Sequence, residues 1–226
     1  VIYIDTIDNV DKFGGHTTFS LWSANALFKA PIGNGGYWIA AGRVSYLDKT
    51  LENFIPSGVT LVPRWYDGQF KAKVQLTETQ SIYFYALAAR DEFIAKVDNR
   101  PTWDPTTEFS STLVGASINL NRMYHTEAVR HVWVPTSRIT NELTALYHNN
   151  IFEINASLGI LKALIGAQAG YAAIKDEFSW EIMKDHVLFD AGFDVRAYLF
   201  RGNGTTTNQI NPNNPSPNPY KTDNPD

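Results

Sequence analysis

The stretch that decides the fold is Val187-Leu188-Phe189-Asp190-Ala191-Gly192-Phe193-Asp194-Val195-Arg196-Ala197-Tyr198-Leu199. Every odd-numbered position in it is apolar and uncharged, whereas the even-numbered positions include two aspartates and an arginine. Successive side chains of a β-strand point to opposite faces. The alternation therefore predicts a strand with one apolar face and one charged face.

The same period of two recurs along the chain. Residues 69–76 alternate between apolar side chains and lysine or glutamine, and residues 177–182 alternate between acidic or small polar side chains and Phe178, Trp180 and Ile182. Further strands are predicted at 16–22, 25–31, 37–47, 81–90, 110–120 (or on past His125) and 139–147. Residues 151–154 extend the last of these or start an outer hairpin. The fold class that follows is all-β.

The connections between these strands alternate in length. Short turns are predicted at 33–36, 77–80, 134–137 and 183–186, and long polar connections at 48–60, 94–109, 155–170 and from 201 onwards. This rhythm is typical of an antiparallel, up-and-down transmembrane β-barrel, whose turns are tight at one end and long at the other. Residues 158–168 alone show the apolar spacing of a helix, and we expect a short helix there.

In a barrel of this kind, one face of each strand meets lipid and the other lines the lumen. The uncharged set is expected to face lipid: Phe70, Ala72, Val74, Phe178, Trp180, Val187, Phe189, Phe193 and Val195. The charged set is expected to face a plug or water in the lumen: Arg43, Lys71, Lys73, Arg90, Glu177, Glu181, Asp190, Asp194 and Arg196. The alternative from the same pattern is a secreted β-sandwich that binds carbohydrate through exposed aromatic side chains.

Composition and spacing exclude several classes of function. The net charge of -4 argues against nucleic acid as a partner, and the absence of cysteine removes thiolate metal sites and cysteine nucleophiles. His125 and His131 lie too far apart along one strand to share a metal ion. Pairs such as Glu177 and Glu181 fit the wall of a polar lumen better than a glycosidase site. We therefore expect no enzymatic activity, no catalytic residues, no metal and no cofactor.

Several motifs resemble the first barrel strands of TonB-dependent outer-membrane receptors. Residues 13–33 resemble the end of the family's plug and a first hairpin, and four later segments resemble its GRRSYLD, YYDLQAKV, GRDEF and HTLKFG motifs: 41–48, 65–74, 88–93 and 186–192. Two positions depart from these motifs, Val44 where arginine is usual and Asp190 where lysine is common. Neither departure disturbs the alternation.

The resemblance implies a domain organisation, a location and a role. Residues 1–12 would be the end of the plug or its linker, 13–200 barrel strands, and 201–226 an extracellular loop or a disordered tail. Eight or nine strands would form part of a larger barrel of 22 strands, whose remainder comes from the same or another chain. The protein would lie among outer-membrane lipids of a Gram-negative bacterium and use a TonB-type energy coupler to import a metal chelate, glycan or peptide. A second possibility is a non-transporting barrel subunit of an outer-membrane assembly.

Overall fold

The computed structural model describes residues 9–52, 54–55, 58–97, 115–158 and 161–208. These residues form a single sheet of nine antiparallel strands that follow one another in chain order. The strands are β1 (Gly14–Phe19), β2 (Ser23–Ile32), β3 (Gly36–Ser45), β4 (Val59–Thr77), β5 (Gln80–Val97), β6 (Ser117–Thr136), β7 (Ile139–Leu158), β8 (Leu161–Met183) and β9 (Val187–Asn208). A short helix, α1 (Leu47–Leu51), lies between β3 and β4. The all-β, antiparallel part of the prediction is confirmed.

The sheet is open within the described residues, with β1 and β9 as its two edges. Strands contact their neighbours in the sheet, and α1 contacts β4. No second sheet covers either face in the part of the chain that the structure describes, which gives the sandwich alternative no support. No described helix has the length and apolarity to cross a membrane.

The four short turns fall close to where the sequence places them. Three of them lie within one residue of the predicted boundaries. The turn between β6 and β7 is at 137–138 and overlaps the predicted 134–137 by one residue, because β6 continues to Thr136. The first turn needs glycine, since Gly33 and Gly35 have φ angles of 54° and 74°. L residues with side chains adopt such angles at a steric cost.

The predicted long connection over 155–170, with its helix at 158–168, is wrong. Residues up to Leu158 belong to β7 and pair with β8, which begins at Leu161. The apolar spacing that suggests a helix is overridden by two long neighbouring strands whose backbone groups pair along their whole length. The last strand likewise continues to Asn208, into the segment 201–226 that the sequence assigns to a loop or tail.

Some predictions fall on residues that the structure does not describe. The greater part of the plug segment, residues 1–8, lies outside the described residues, as do 98–114 and 209–226. Of the predicted strand at 110–120, residues 110–114 lie outside the described residues, Gly115 and Ala116 are not in a strand, and β6 begins at Ser117. It runs well past His125, as the alternation beyond Leu120 allows.

Candidate functional site

The pairing register sorts the side chains of all nine strands onto two faces. Residues directly opposite each other on paired strands share a face, and alternate residues of one strand do so too. Lys73 is opposite Tyr83, and the same row continues through Arg130, Thr144 and Lys175 to Asp194. We call the face of this row the Lys71 face, since it includes Lys71, and the opposite one the Phe70 face.

The division predicted from alternation holds for all but one residue. All nine side chains assigned to lipid lie on the Phe70 face: Phe70, Ala72, Val74, Phe178, Trp180, Val187, Phe189, Phe193 and Val195. Eight of the nine charged residues share the Lys71 face: Arg43, Lys71, Lys73, Glu177, Glu181, Asp190, Asp194 and Arg196. Strand pairing thus brings charged side chains that are far apart in the chain onto the same face of the sheet.

The prediction for Arg90 is wrong. Arg90 is opposite Tyr66, which shares the Phe70 face because it lies four positions before Phe70 on β4. Its guanidinium Nε donates to Oδ1 of Asn121 on β6 at 3.1 Å. Residues 90–92 are all charged, so the local sequence has no alternation to fix the face of Arg90. The face of Arg90 follows only from the pairing register of β5 with β4.

The Phe70 face is apolar next to the short turns and polar towards the other end of the strands. Many large apolar side chains are exposed in its apolar part, among them Phe28, Phe70, Val74, Phe84, Val129, Leu143, Ile174, Phe189, Phe193 and Val195. Its polar part carries Arg64, Arg90, Glu92, Asn121, Glu153, Gln168 and Arg201. We call the first part the apolar band.

A hydrogen-bonded chain of polar side chains crosses the Phe70 face from β8 to β6. Gln168 Nε2 donates to Asn149 Oδ1 at 3.0 Å, and Asn149 Nδ2 lies 3.4 Å from His125 Nε2. His125 Nδ1 lies 2.8 Å from a carboxylate oxygen of Glu127. The geometry is satisfied when His125 carries its proton on Nδ1. Sequence reasoning missed this relay, because its members belong to three strands with no shared motif.

A cluster of cations and tyrosines lies on the Lys71 face across β3 to β6. Arg130 stacks its guanidinium carbon 4.5 Å from the ring centroid of Tyr83, and Lys71 Nζ lies within 6.0 Å of three tyrosine rings. Tyr37 is only 1% exposed. The cation–tyrosine cluster consists of Tyr37, Lys71, Lys73, Tyr83, Tyr85 and Arg130. Such contacts hold long cationic side chains down on the sheet.

Acidic side chains become frequent on the Lys71 face towards β9. Glu142 pairs with Arg130 at 3.3 Å, and Glu177 pairs with Lys175 at 2.6 Å. Asp194 accepts two hydrogen bonds from Arg196, at 2.9 and 2.6 Å. The depression that Glu142, Lys175, Glu177 and Asp194 border is open and has a volume of 680 Å³. Next to the short turns, the Lys71 face is thus a polar wall in which many charges already have partners. Towards the other end of the strands it carries an apolar row of Phe93, Leu120, Ile154 and Ile165.

One half-buried ion pair joins α1 to β4 at the end of the sheet away from the short turns. Arg64 donates from Nε and Nη2 to Oδ2 of Asp48, at 3.0 and 2.8 Å. Burial by itself raises the pKa of Asp48, but the hydrogen bonds and the positive charge of Arg64 outweigh it. The net result is a pKa below the ordinary value for aspartate.

Metal ligands do not cluster in the described ranges, where no group of three or more histidine, aspartate or glutamate side chains could hold an ion. Comparison with known proteins adds no further guide to the site: no protein-family profile, curated protein or solved structure matches the chain. The case for a function rests on the two faces of the sheet.

Proposed function

We propose that this chain contributes strands to an outer-membrane β-barrel of the TonB-dependent receptor type, which imports a scarce and bulky ligand. The observation that carries the proposal is the apolar band. Its large apolar side chains are as exposed as surface residues. Phe193 is 51% exposed and Val195 is 64% exposed. Soluble monomers rarely leave a contiguous apolar surface of this extent uncovered.

The height of the apolar band suits a bilayer. On β9 it runs from Val187 to Leu199, which is about 40 Å along a strand at ~3.3 Å per residue. A strand tilted by about 45° crosses roughly 28 Å of membrane over that length, close to the ~25 Å apolar belt of outer-membrane barrels. The polar part of the Phe70 face then lies beyond the hydrocarbon, where Arg90 and its neighbours can meet water or lipid headgroups.

Polar side chains interrupt the apolar band at two places. One is the pair of Asn141 and Asp176, in which Asn141 Nδ2 donates to Asp176 Oδ1 at 2.9 Å, and the other is the relay at His125 and Glu127. The four side chains of the relay bond to one another, so few of their polar atoms are left to be satisfied by solvent. A carboxylate on the lipid side of a barrel also costs less than a lysine or arginine there. The relay is therefore compatible with the proposed surroundings.

The two edge strands of the sheet, β1 and β9, need further strands to pair with in a membrane. Unpaired strand edges are not tolerated in hydrocarbon, so β1 and β9 must pair with further strands of the same or another chain. The resemblance described above supplies a precedent for such a larger barrel, with a plug inside it and an energy coupler beneath it. The Lys71 face would line the lumen and meet the plug, water and the ligand.

A non-transporting barrel subunit is the alternative within the same fold. It would keep the lipid-facing surface and the polar wall but would have no energy coupling. Ligand uptake by cells that contain the protein, measured with and without an intact TonB system, separates the two. Uptake that depends on TonB supports the receptor, whereas TonB-independent behaviour supports the subunit.

The barrel itself is tested by electrophoresis of the detergent-extracted protein without and with prior heating. A closed barrel resists detergent at room temperature and migrates differently until it is heated. We expect heat-dependent migration and recovery of the protein in the outer-membrane fraction. A protein that is monomeric and soluble in buffer without detergent would contradict the proposal.

A further inference from the structure

Three aromatic rings form a continuous row across β7, β8 and β9 on the Lys71 face. His148 is opposite Tyr171, and Tyr171 is opposite Tyr198. The ring centroids of the first pair are 5.5 Å apart, and those of the second pair are 5.7 Å apart. We call these residues the aromatic row. Phe200, two positions beyond Tyr198 on β9, extends it on the same face.

The aromatic row is accessible. Tyr198 is 73% exposed and Phe200 is 76% exposed, whereas His148 and Tyr171 are half-buried. Ala169 and Ala173 flank Tyr171 on the same face of β8. Because these side chains are small, they leave room along β8 beside the half-buried ring of Tyr171.

Polar groups border the aromatic row on both sides. Arg196 lies over the ring of Tyr171 at 5.9 Å and is held by Asp194. On the other side, Arg122 Nε donates to Asn150 Oδ1 at 3.1 Å. The row is therefore edged by hydrogen-bond donors and acceptors. The charge of Arg196 is balanced by Asp194, whereas Arg122 is bonded to a neutral amide.

We propose that the aromatic row binds a neutral glycan chain. A pyranose ring presents a flat face of C–H groups that packs on an aromatic ring, and its hydroxyls both donate and accept hydrogen bonds. Neighbouring strands are about 4.8 Å apart, which is close to the length of one sugar unit, so successive units could stack on successive rings. The ion pair of Arg196 with Asp194 leaves no net charge beside Tyr171, which favours a neutral ligand over an anionic one there.

This inference deepens the proposed function and rests on it in one respect, namely that the Lys71 face meets the ligand. It selects glycan from the three ligand classes that the resemblance leaves open. A metal chelate or a plug segment packed on the same rings would be a different occupant, and the binding experiment separates them.

The experiment is isothermal titration of the detergent-solubilised protein with maltohexaose, xylohexaose and mannohexaose. We expect saturable binding of at least one of them. Tyr198→Ala should weaken that binding at least tenfold, because it removes an exposed ring from the row. Tyr198→Phe should keep most of the affinity, since the ring is retained. Tyr147→Ala is the matched control, as Tyr147 is an exposed tyrosine of β7 on the Phe70 face.

Two outcomes would overturn the inference. One is an absence of binding by all three hexasaccharides, and the other is binding that Tyr198→Ala and Tyr147→Ala affect equally. Heat-dependent migration of each variant shows whether it has folded, and it also tests the barrel independently. A heat-modifiable protein that binds no hexasaccharide supports the barrel and contradicts the glycan site. Glycan binding by a protein that is soluble without detergent supports the glycan site and contradicts the barrel.

Discussion

Phe193 and Asp194 are neighbours in the chain, yet their side chains belong to surfaces of opposite character. Phe193 is half exposed within the apolar band of the Phe70 face, while Asp194 lies on the Lys71 face and holds the guanidinium of Arg196. A single backbone step thus separates a surface suited to lipid from one suited to water. That contrast gives the most direct test of the proposed barrel.

Phe193→Arg should impair assembly of the barrel, whereas Asp194→Asn should leave assembly intact. An arginine on the lipid side costs about 2 to 4 kcal/mol at the bilayer midplane, but a neutral amide on the polar wall meets no such penalty. The measurement is the fraction of heat-modifiable protein in outer membranes. Equal assembly of the two variants would show that Phe193 does not face lipid.

The depth of the apolar band can be mapped along β5. Ala86 and Arg90 share the Phe70 face, but Ala86 lies four positions nearer the short turn. We expect Ala86→Arg to reduce the assembled fraction strongly and Arg90→Ala to change it little. Both variants are measured on the same gels. If Arg90→Ala were the more damaging, the band would not end before Arg90.

The ion pair between Asp48 and Arg64 predicts a loss of stability in acid. Because the pKa of folded Asp48 lies below its ordinary value of 3.8, the pair is fully formed above that pH and is lost as the pH falls through the folded pKa. Asp48→Asn should cost about 1 to 2 kcal/mol at pH 7, since Arg64 is partly exposed and water replaces some of its bonds. The difference from the native protein should shrink at pH 3.

Urea unfolding at both pH values measures this difference. Glu52→Gln is the control, because its ion pair with Lys49 spans 3.9 Å between two exposed side chains. Such pairs contribute little to stability. A gap between Asp48→Asn and the native protein that stays constant from pH 7 to pH 3 would contradict the prediction.

Close backbone approach at Gly36 makes that glycine irreplaceable. A Cβ atom there would lie 2.5 Å from the carbonyl oxygen of Ile32 and 2.8 Å from that of Lys73. Gly36→Ala should therefore destabilise the protein by roughly 1 to 3 kcal/mol through overpacking. At Gly42 the nearest atom, the carbonyl oxygen of Asp67, is 3.6 Å away, so Gly42→Ala should be tolerated. Thermal unfolding compares the two, and equal midpoints would refute the assigned register at β2 and β3.

The two faces of the sheet were predictable from sequence because strand geometry makes every second residue equivalent. This rule suffices where apolar and charged residues alternate, as they do from Phe70 to Val74 and along β9. It fails at Arg90, where consecutive charges leave the parity undefined. It also fails at 158–168, where apolar spacing indicates a helix and pairing between β7 and β8 decides otherwise.

Cross-strand partners could not be predicted in the same way. The aromatic row joins residues that are 23 and 27 positions apart in the chain (His148 to Tyr171, and Tyr171 to Tyr198), and the cation–tyrosine cluster joins four strands. Which residues meet depends on the register of each hairpin, and register follows from turn length and packing together. The composition of each face was therefore accessible from sequence, but the arrangement of side chains on it was not.

The relay of Gln168, Asn149, His125 and Glu127 bears on how the chain avoids misfolding. A slip of two residues between long neighbouring strands leaves the alternation of apolar and charged faces unchanged, so burial alone discriminates poorly against it. A slip of two residues between β6 and β7 would move Asn149 away from its position opposite His125 and break the hydrogen bond between them. The relay thus favours the native pairing register. It lies near the middle of strands whose repetitive pattern is compatible with many shifted registers.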